Sequence, residues 1–357
     1  MLIAGALGTF VLAGMIQVLT STKQTYQIES ALTEIQESGR YALHIVGDAL
    51  RYRGFQGCLL PASLQNQNEE NLNWNSLTYT VPIANNYPSD NISRTNLRGF
   101  SVGNDDAWSP NPSLLGSNSD IEDLRNGISG YTPRSGSDVI SVQYASPVLL
   151  TLASKMSSRS APIVTNDTNF SVSKDDILYI GDCSVGDVFR VSNDPATTAP
   201  ITIEHATSHN TTANFRRAYE TDAKIRVFRT ETFFVADTGR NNQFGEDTYG
   251  LFRMASNGTI DEIAEGVEFL RILYGEELSD GNIRFLPATD VNLNMRRVVS
   301  IQIGLLIKSL DPVTTTTDSH DYTLPGVDIG PNGASQHSGG NYLRREFNTT
   351  IQMRNKG

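Results

Sequence analysis

The sequence predicts an α+β protein: one long N-terminal helix followed by a β-rich, mainly antiparallel head. Three observations predict it. The opening run from Met1 to Thr22 carries no charge and continues to about Arg53 without a proline. From residue 136 onward, short apolar-alternating runs are separated by turn residues rather than by helices. The remaining composition is rich in Ser, Thr, Asn and Gly, with 38% hydrophobic and 19% charged residues, as befits a β protein with long surface loops.

The helix comes first, over residues 1–53. From Met1 to Leu19 only Thr9 and Gln17 interrupt the apolar residues, and about 20 such residues cross a bilayer core. Leu2, Ile3, Leu7, Phe10, Val11, Leu12 and Ile16 are the side chains that such surroundings would take up. No basic residue precedes the run and no clear small-residue cleavage site follows it, which argues against a cleavable secretory signal. From Ile28 the apolar or small positions fall at Ile28, Leu32, Ile35, Gly39, Ala42, Val46 and Ala49, in steps of four and three that mark one helical face. Ile28, Leu32, Ile35, Ala42 and Val46 are therefore expected to pack on the head. Gly54 and Gly57 close the pattern. At ~1.5 Å per residue the helix would be roughly 80 Å long, with an apolar half (1–22) and an amphipathic half (23–53). Gly5, Gly8 and Gly14 weaken helix propensity but allow neighbouring helices to approach closely in an apolar medium.

Residues 54–135 read as a loop region linking helix to sheet, rich in Asn, Ser and Pro, with a helical turn near "SDIEDLRNGI". Trp74 and Trp108 are expected to tuck beneath their loops. The β-rich head then spans 136–357. "DVISVQYA", "PVLLTLA", "DDILYIG", "DVFRVS" and "AKIRVFRTETFFVAD" read as strands, and "SNGT" as a tight turn. "IDEIAEGV" has the spacing of a short helix. "RRVVSIQIGLLIKSL" and "YLRREFNTTIQMRN" alternate as half-buried strands, joined by a long polar loop with the composition of disorder.

Charge and motif content exclude several functions. Lys+Arg of 28 against Asp+Glu of 39 gives a net charge of −11, a poor basis for tracking nucleic-acid phosphates. No nucleophile elbow, zinc-protease helix or phosphate loop occurs, so neither an enzyme nor a cofactor is expected. His205 and His209 in "HATSH" read as loop histidines. Asp237, Glu246 and Asp247 offer a weak calcium possibility without the spacing of an EF-hand. Cys58 and Cys183 are too far apart for a redox motif or zinc knuckle. They can form one bridge in an oxidising compartment, or remain two separate thiols.

Five fragments in order carry a family resemblance: "LTSTKQTYQIESALTEIQESGRYALHIVGDALRYRGFQGC", "GSDVISVQYAS", "DCSVGDVFRVS", "YGLFRMASNGTIDEIAEGVEFLRILYGEE", and the pair "MRRVVSIQIGLLIKS" with "YLRREFNTTIQMRN". Together they resemble the PilW family of type IV pilus minor pilins. The resemblance implies a type IV pilin-like fold, with residues 1–22 in the inner membrane before assembly and in the filament core afterwards. It implies a periplasmic head that later reaches the pilus at the cell surface, and a Cys58–Cys183 bridge pinning head to stem. The implied role is the initiation of pilus assembly, in a priming complex at the tip, for a pilus that serves adhesion, twitching motility or DNA uptake. Partners would be other minor pilins, the major pilin, a PilY-type adhesin and the inner-membrane assembly machinery. Such pilins are made with a basic leader ending in glycine and usually carry an early glutamate. Neither stands here, so the sequence is expected to start a few residues inside the mature protein. A type II secretion pseudopilin shares the helix and is the nearer alternative. A membrane-anchored periplasmic binding protein or enzyme is the more distant one, since it needs a constellation the sequence lacks.

Overall fold

The computed structural model describes residues 2–55, 57, 97–103, 108–109, 131–183, 185–210, 212–256, 258–331 and 335–353; the side chains of residues 2–7, 9, 296 and 335 stand outside the description. The stem, α1, is one helix over Leu2–Arg51, about 75 Å long at 1.5 Å per residue. At its end, Tyr52 and Arg53 donate their amides to the carbonyls of Ala49 and Leu50, tightening the last turn. Gly54 then adopts a positive φ of 64°, a left-handed stop that suits glycine. Its amide bonds to Gln143 O, and Ala145 N to Phe55 O, so the exit is stitched directly to the head.

Among the described residues seventeen strands follow: β1 (Leu97–Val102), β2 (Trp108–Ser109), β3 (Asp138–Thr151), β4 (Ile163–Thr165), β5 (Ile177–Gly181), β6 (Gly186–Arg190), β7 (Ile201–Ile203), β8 (Lys224–Asn241), β9 (Asp247–Met254), β10 (Ile260–Glu265), β11 (Val267–Glu277), β12 (Ile283–Leu286), β13 (Val298–Lys308), β14 (Tyr322–Leu324), β15 (Val327–Gly330), β16 (Ser335–Gln336) and β17 (Arg344–Gln352). Two antiparallel sheets dominate. One runs β10-β9-β8-β3-β1-β2, with the β5–β6 hairpin attached to β8; the other runs β12-β11-β13-β17. Ile140, Val142, Phe233 and Val235 of the first share a core with Leu270, Ile272, Ile301 and Ile303 of the second. The chain crosses between the sheets at Gly266. There φ is +80°, and an added Cβ would lie 2.7 Å from the Lys308 carbonyl, so no side chain fits the corner. The second half of α1 packs across β10, β17 and β13. A separate lobe has its own core, in which Leu150, Ile163, Phe189, Ile201, Phe215 and Ile225 meet. It surrounds the start of β8, while the end of β8 approaches the stem.

Four departures from the sequence reading have physical causes. "IDEIAEGV" is not a helix but β10, turning at Gly266 into β11. A register shift between Glu262 and Ala264 inserts an extra residue, so the apolar spacing becomes three instead of two. Similarly, "DVISVQYA" and "PVLLTLA" form the single strand β3, shifted between Ala145 and Leu149. Within the presumed loop region, Leu97–Val102 pairs with β3, and Trp108 is buried against Phe100 at 5.6 Å. Trp74 and "SDIEDLRNGI" lie outside the described residues. The segment before β17 is not a disordered loop, for it carries β14, β15 and β16.

A buried ion network holds that segment. Arg344 donates from Nε to Glu268 at 2.7 Å and from Nη1 to Asp318 at 3.0 Å and the Gly339 carbonyl at 2.7 Å. Lys308 and Arg134 approach Glu268 at 3.9 and 4.0 Å, and the Arg134 guanidinium also lies over Tyr249 and Phe269. Breaking such a pair by removing one partner typically costs about 3–5 kcal/mol, because a charge is left buried alone. Burial works to raise the Glu268 carboxyl, but Arg344, Arg134 and Lys308 outweigh it and hold its pKa below the usual range. Asp318, likewise opposed by burial, is held low by hydrogen bonds from the His320 amide, Arg344 and Tyr322. A depressed carboxyl stabilises the fold above its unfolded pKa and loses that contribution as pH falls through the folded value. Burial shifts Asp138 and Asp187 upward instead, so acid does not weaken their surroundings in this way. Amide exchange followed below about pH 4.5 should therefore show residues 309–343 opening before β3 and β6; uniform loss of protection would count against the network as the acid-sensitive element.

Candidate interaction surface

The stem divides in two according to what covers it. Phe10, Val11, Leu12 and Ile16 are exposed, and so are Met15, Val18 and Leu19; Phe10 is 80% exposed and Leu19 68%. Leu2, Ile3 and Leu7 belong to the same helix, but their side chains lie outside the description. Each large apolar side chain left in water forgoes roughly 1.5–3 kcal/mol of burial, so a bare run of this length marks a surface to be covered. The polar residues do not oppose that. Thr20, Thr22 and Thr25 return their hydroxyls to the carbonyls of Ile16, Val18 and Ser21 at 2.8–3.0 Å, so their donors are satisfied within the helix, as an apolar medium requires. Among the described residues no helix is long and apolar enough to cross a membrane.

The second half is held firmly. Ile35, Ala42 and Val46 are buried, joined by Ala31, Ala49 and Leu50, while Ile28 and Leu32 are half-buried. Close approach depends on Gly39, where an added Cβ would fall 2.6 Å from the tip of the Phe347 ring on β17. One turn above the exit, Ile351 comes within 3.3 Å of a Cβ built at Gly47. Arg53 is fully buried at the end of the stem. It donates to Val298 O at 2.7 Å and Met295 O at 3.0 Å, and burial lowers its pKa to about 10, leaving it charged at neutral pH. Tyr52 stacks on Tyr144 at 5.7 Å. Packing and hydrogen bonds together fix the stem's direction.

Where the stem leaves the head there is a recess of about 230 Å³ between Tyr26, Ser30 and Glu34 on one side and Gln243 and Asp311–Val313 on the other. The β8–β9 hairpin forms its lip. Asn242 accepts the amides of Phe244 and Glu246 and donates to Leu310 O and Tyr342 Oη, fixing a tip on which Phe244 is 63% exposed. Burial, then Glu265 and Asp311, raise the Glu34 carboxyl. Phe244, Arg53 and the Gly39–Phe347 contact were not singled out as functional from sequence. Only Gly39, as a small residue in the stripe, carried a local signal.

Other candidates are dispersed. Asp237 accepts Gly239 N, Asp247 accepts Asn241, and Glu246 accepts Tyr342 Oη. Among the described residues no group of three or more metal-ligating side chains occurs. His205 is a core residue, stacked on Phe215 at 3.9 Å and bonded to Ala161 O. Cys183 is exposed at the β5–β6 turn; Cys58 lies outside the described residues.

Residues 232–355 match the PilW family, described as Type IV Pilus-assembly protein W. No curated protein and no solved structure matches the chain. The match takes in about a third of the chain and supports assignment of that part to the PilW family. It runs from within β8 through β17, the wall on which the stem packs, and leaves out the lobe.

The two kinds of stem glycine should respond oppositely. Gly39→Leu must displace Phe347 and should destabilise the head by about 1–3 kcal/mol. Gly14→Leu meets nothing within 4 Å and should leave the head's thermal midpoint unchanged. Equal melting of both variants would refute the Gly39 contact.

Proposed function

We propose that the chain is a minor pilin that takes part in initiating type IV pilus assembly. The carrying observation is one uninterrupted helix, apolar and uncovered in its first half, packed on the head in its second. In this reading the apolar half is held at the inner membrane before assembly, short of a full crossing by the described residues alone, with the head in the periplasm. On assembly it passes into the filament core, where helices replace lipid as its surroundings. A rigid exit suits this role, because the head's position in a filament is then dictated by how its stem packs. Other minor pilins, the major pilin and the inner-membrane machinery are the partners this reading requires. A tip or priming complex bearing a PilY-type adhesin follows from the family resemblance.

The proposal includes a Cys58–Cys183 bridge. Two observations support it. Gly57, beside Cys58, lies against Arg226, whose Nε is 3.4 Å from a Cβ built there. Arg226 faces Tyr179 on β5, the hairpin that ends in Cys183. Closing so long a loop stabilises by about 4–5 kcal/mol in the chain-entropy treatment.

Leu12→Asp places a charge in the half that must enter an apolar core, at a cost of several kcal/mol. It should abolish incorporation into pili while the head keeps its circular dichroism and melting point. Normal piliation by this variant would sink the filament-core role, and loss of exoprotein secretion with intact pili would favour the pseudopilin alternative. Peptide mapping of exported protein without reductant should recover Cys58 joined to Cys183; alkylatable thiols at both positions would disprove the bridge.

A further inference from the structure

The β8–β9 hairpin marks the end of the head nearest the apolar half of the stem. Near the start of β8, the Arg226 guanidinium lies 5.3 Å from the centre of the Phe55 ring, at the stem's exit. Just past the end of β8, Gln243 lines the recess beside Tyr26, Gln27 and Ser30. The strand therefore runs back along the stem, and its hairpin stands at the level of residues 26–30. The tip is built to hold one side chain out. Gly245 turns the chain at a φ of +83° and donates its amide to the Asn242 carbonyl, while Asn241 Nδ2 donates to the Gly245 carbonyl. With the Asn242 side-chain bonds these close the turn on itself, and Phe244 stays exposed on it. Its neighbours Asn241, Asn242, Gln243 and Gly245 carry no charge. An uncharged, braced tip bearing a bare aromatic ring is a contact point waiting for an apolar surface.

The stem below the tip has the order of a membrane boundary. Lys23 shares the recess face with Gln27, Ser30 and Glu34, in steps of four, three and four, and is exposed. With Leu19 at the edge of the hydrocarbon, Lys23 stands about 6 Å above it and Tyr26 about 10 Å. The headgroup layer is about 5–8 Å deep, and lysine and tyrosine are side chains that hold a helix at that level. An upright stem would leave the hairpin just clear of the headgroups. Helices seated in bilayers lean by about 20° on average, which lowers a group roughly 10 Å from the axis by about 3 Å on the side of the lean. We propose that, while the stem is in the bilayer, it leans toward the β8–β9 hairpin and Phe244 enters the headgroup layer. The partner is the lipid surface itself, one of low negative charge, because Glu34 and Asp311 flank the approach. Phe244 supplies apolar burial, Lys23 and Tyr26 fix the depth beside it, and the braced tip needs no ordering on contact. A lone helix can turn about its own axis in lipid. This second point of attachment sets which side of the head faces the membrane before assembly.

The inference rests on the pilin reading, and its test separates the two. Phe244→Trp in the full chain is reconstituted into phosphatidylcholine vesicles, with the wild-type chain as the baseline for Trp74 and Trp108. The added emission should shift to shorter wavelength, and should lose intensity when the lipids are brominated near the headgroup end of their acyl chains. Val291→Trp is the control. That site is 96% exposed and lies four residues before Met295, whose carbonyl Arg53 holds at the stem's exit, so its emission should be unchanged by the same lipids. Circular dichroism checks that both surface variants are folded. Tryptophan at 244 that emits as in water while the chain is bound to vesicles, or equal quenching at 244 and 291, overturns the proposal. If the chain floats with vesicles and Leu12→Asp blocks piliation while position 244 stays unquenched, the pilin reading stands and the hairpin contact fails. A wild-type chain that does not float with vesicles overturns both.

Discussion

Everything in the molecule follows from joining two incompatible solvent requirements in one helix. Residues 8 and 10–22 of the stem are exposed and offer water mainly apolar side chains up to Leu19, whereas residues 31–50 bury one face in the head. A flexible hinge between the halves would let the apolar part collapse onto the head and hide. Continuity of the i to i+4 hydrogen-bond ladder prevents this, since interrupting it means breaking backbone bonds with nothing to replace them. The helix thus keeps its unsatisfied surface presented and gives the head a fixed orientation relative to it.

The head is built to grip that lever. Gly39 and Gly47 bring the helix backbone close to β17, so that Phe347 and Ile351 lie against the axis and not against intervening side chains. Gly266 lets the two sheets meet at a corner too tight for a Cβ, which brings β10 and β17 onto the same helix. At the exit, Arg53 reaches the carbonyls of Met295 and Val298 and ties the end of the stem to the start of β13. Packing resists lateral movement along the stem, and the arginine resists withdrawal at its end.

The stem was legible because its information is local. The three–four spacing, the absence of proline and the glycines after Arg53 each act within a few residues, and the helix stops two residues before the boundary read from sequence. What failed was not local. "IDEIAEGV" has helical spacing only because a bulge at Glu262 and Ala264 adds a residue, and the constraint that makes it a strand is pairing with β9. The segment before β17 is polar, yet its polarity serves a buried network linking positions 268, 318 and 344. Sequence order alone cannot place those three together. The same applies to the interaction surface. Phe10 to Leu19 announce themselves by composition, whereas the recess needs the fold to bring Gln243 and Asp311 beside Tyr26.

The position of the lobe bears on what the family match includes. β8 begins in the lobe, where Lys224 pairs with Thr151 and Gly181, and ends at the hairpin beside the stem. Residues 232–355 therefore take in the part of β8 that faces the stem, together with β10, β13 and β17 on which α1 chiefly packs, and exclude β4 to β7. A core shared with the stem cannot change without changing the grip. The lobe has a core of its own, so substitutions there need only satisfy the lobe. Physical separation of the two cores thus lets the lobe change without loosening the grip on the stem.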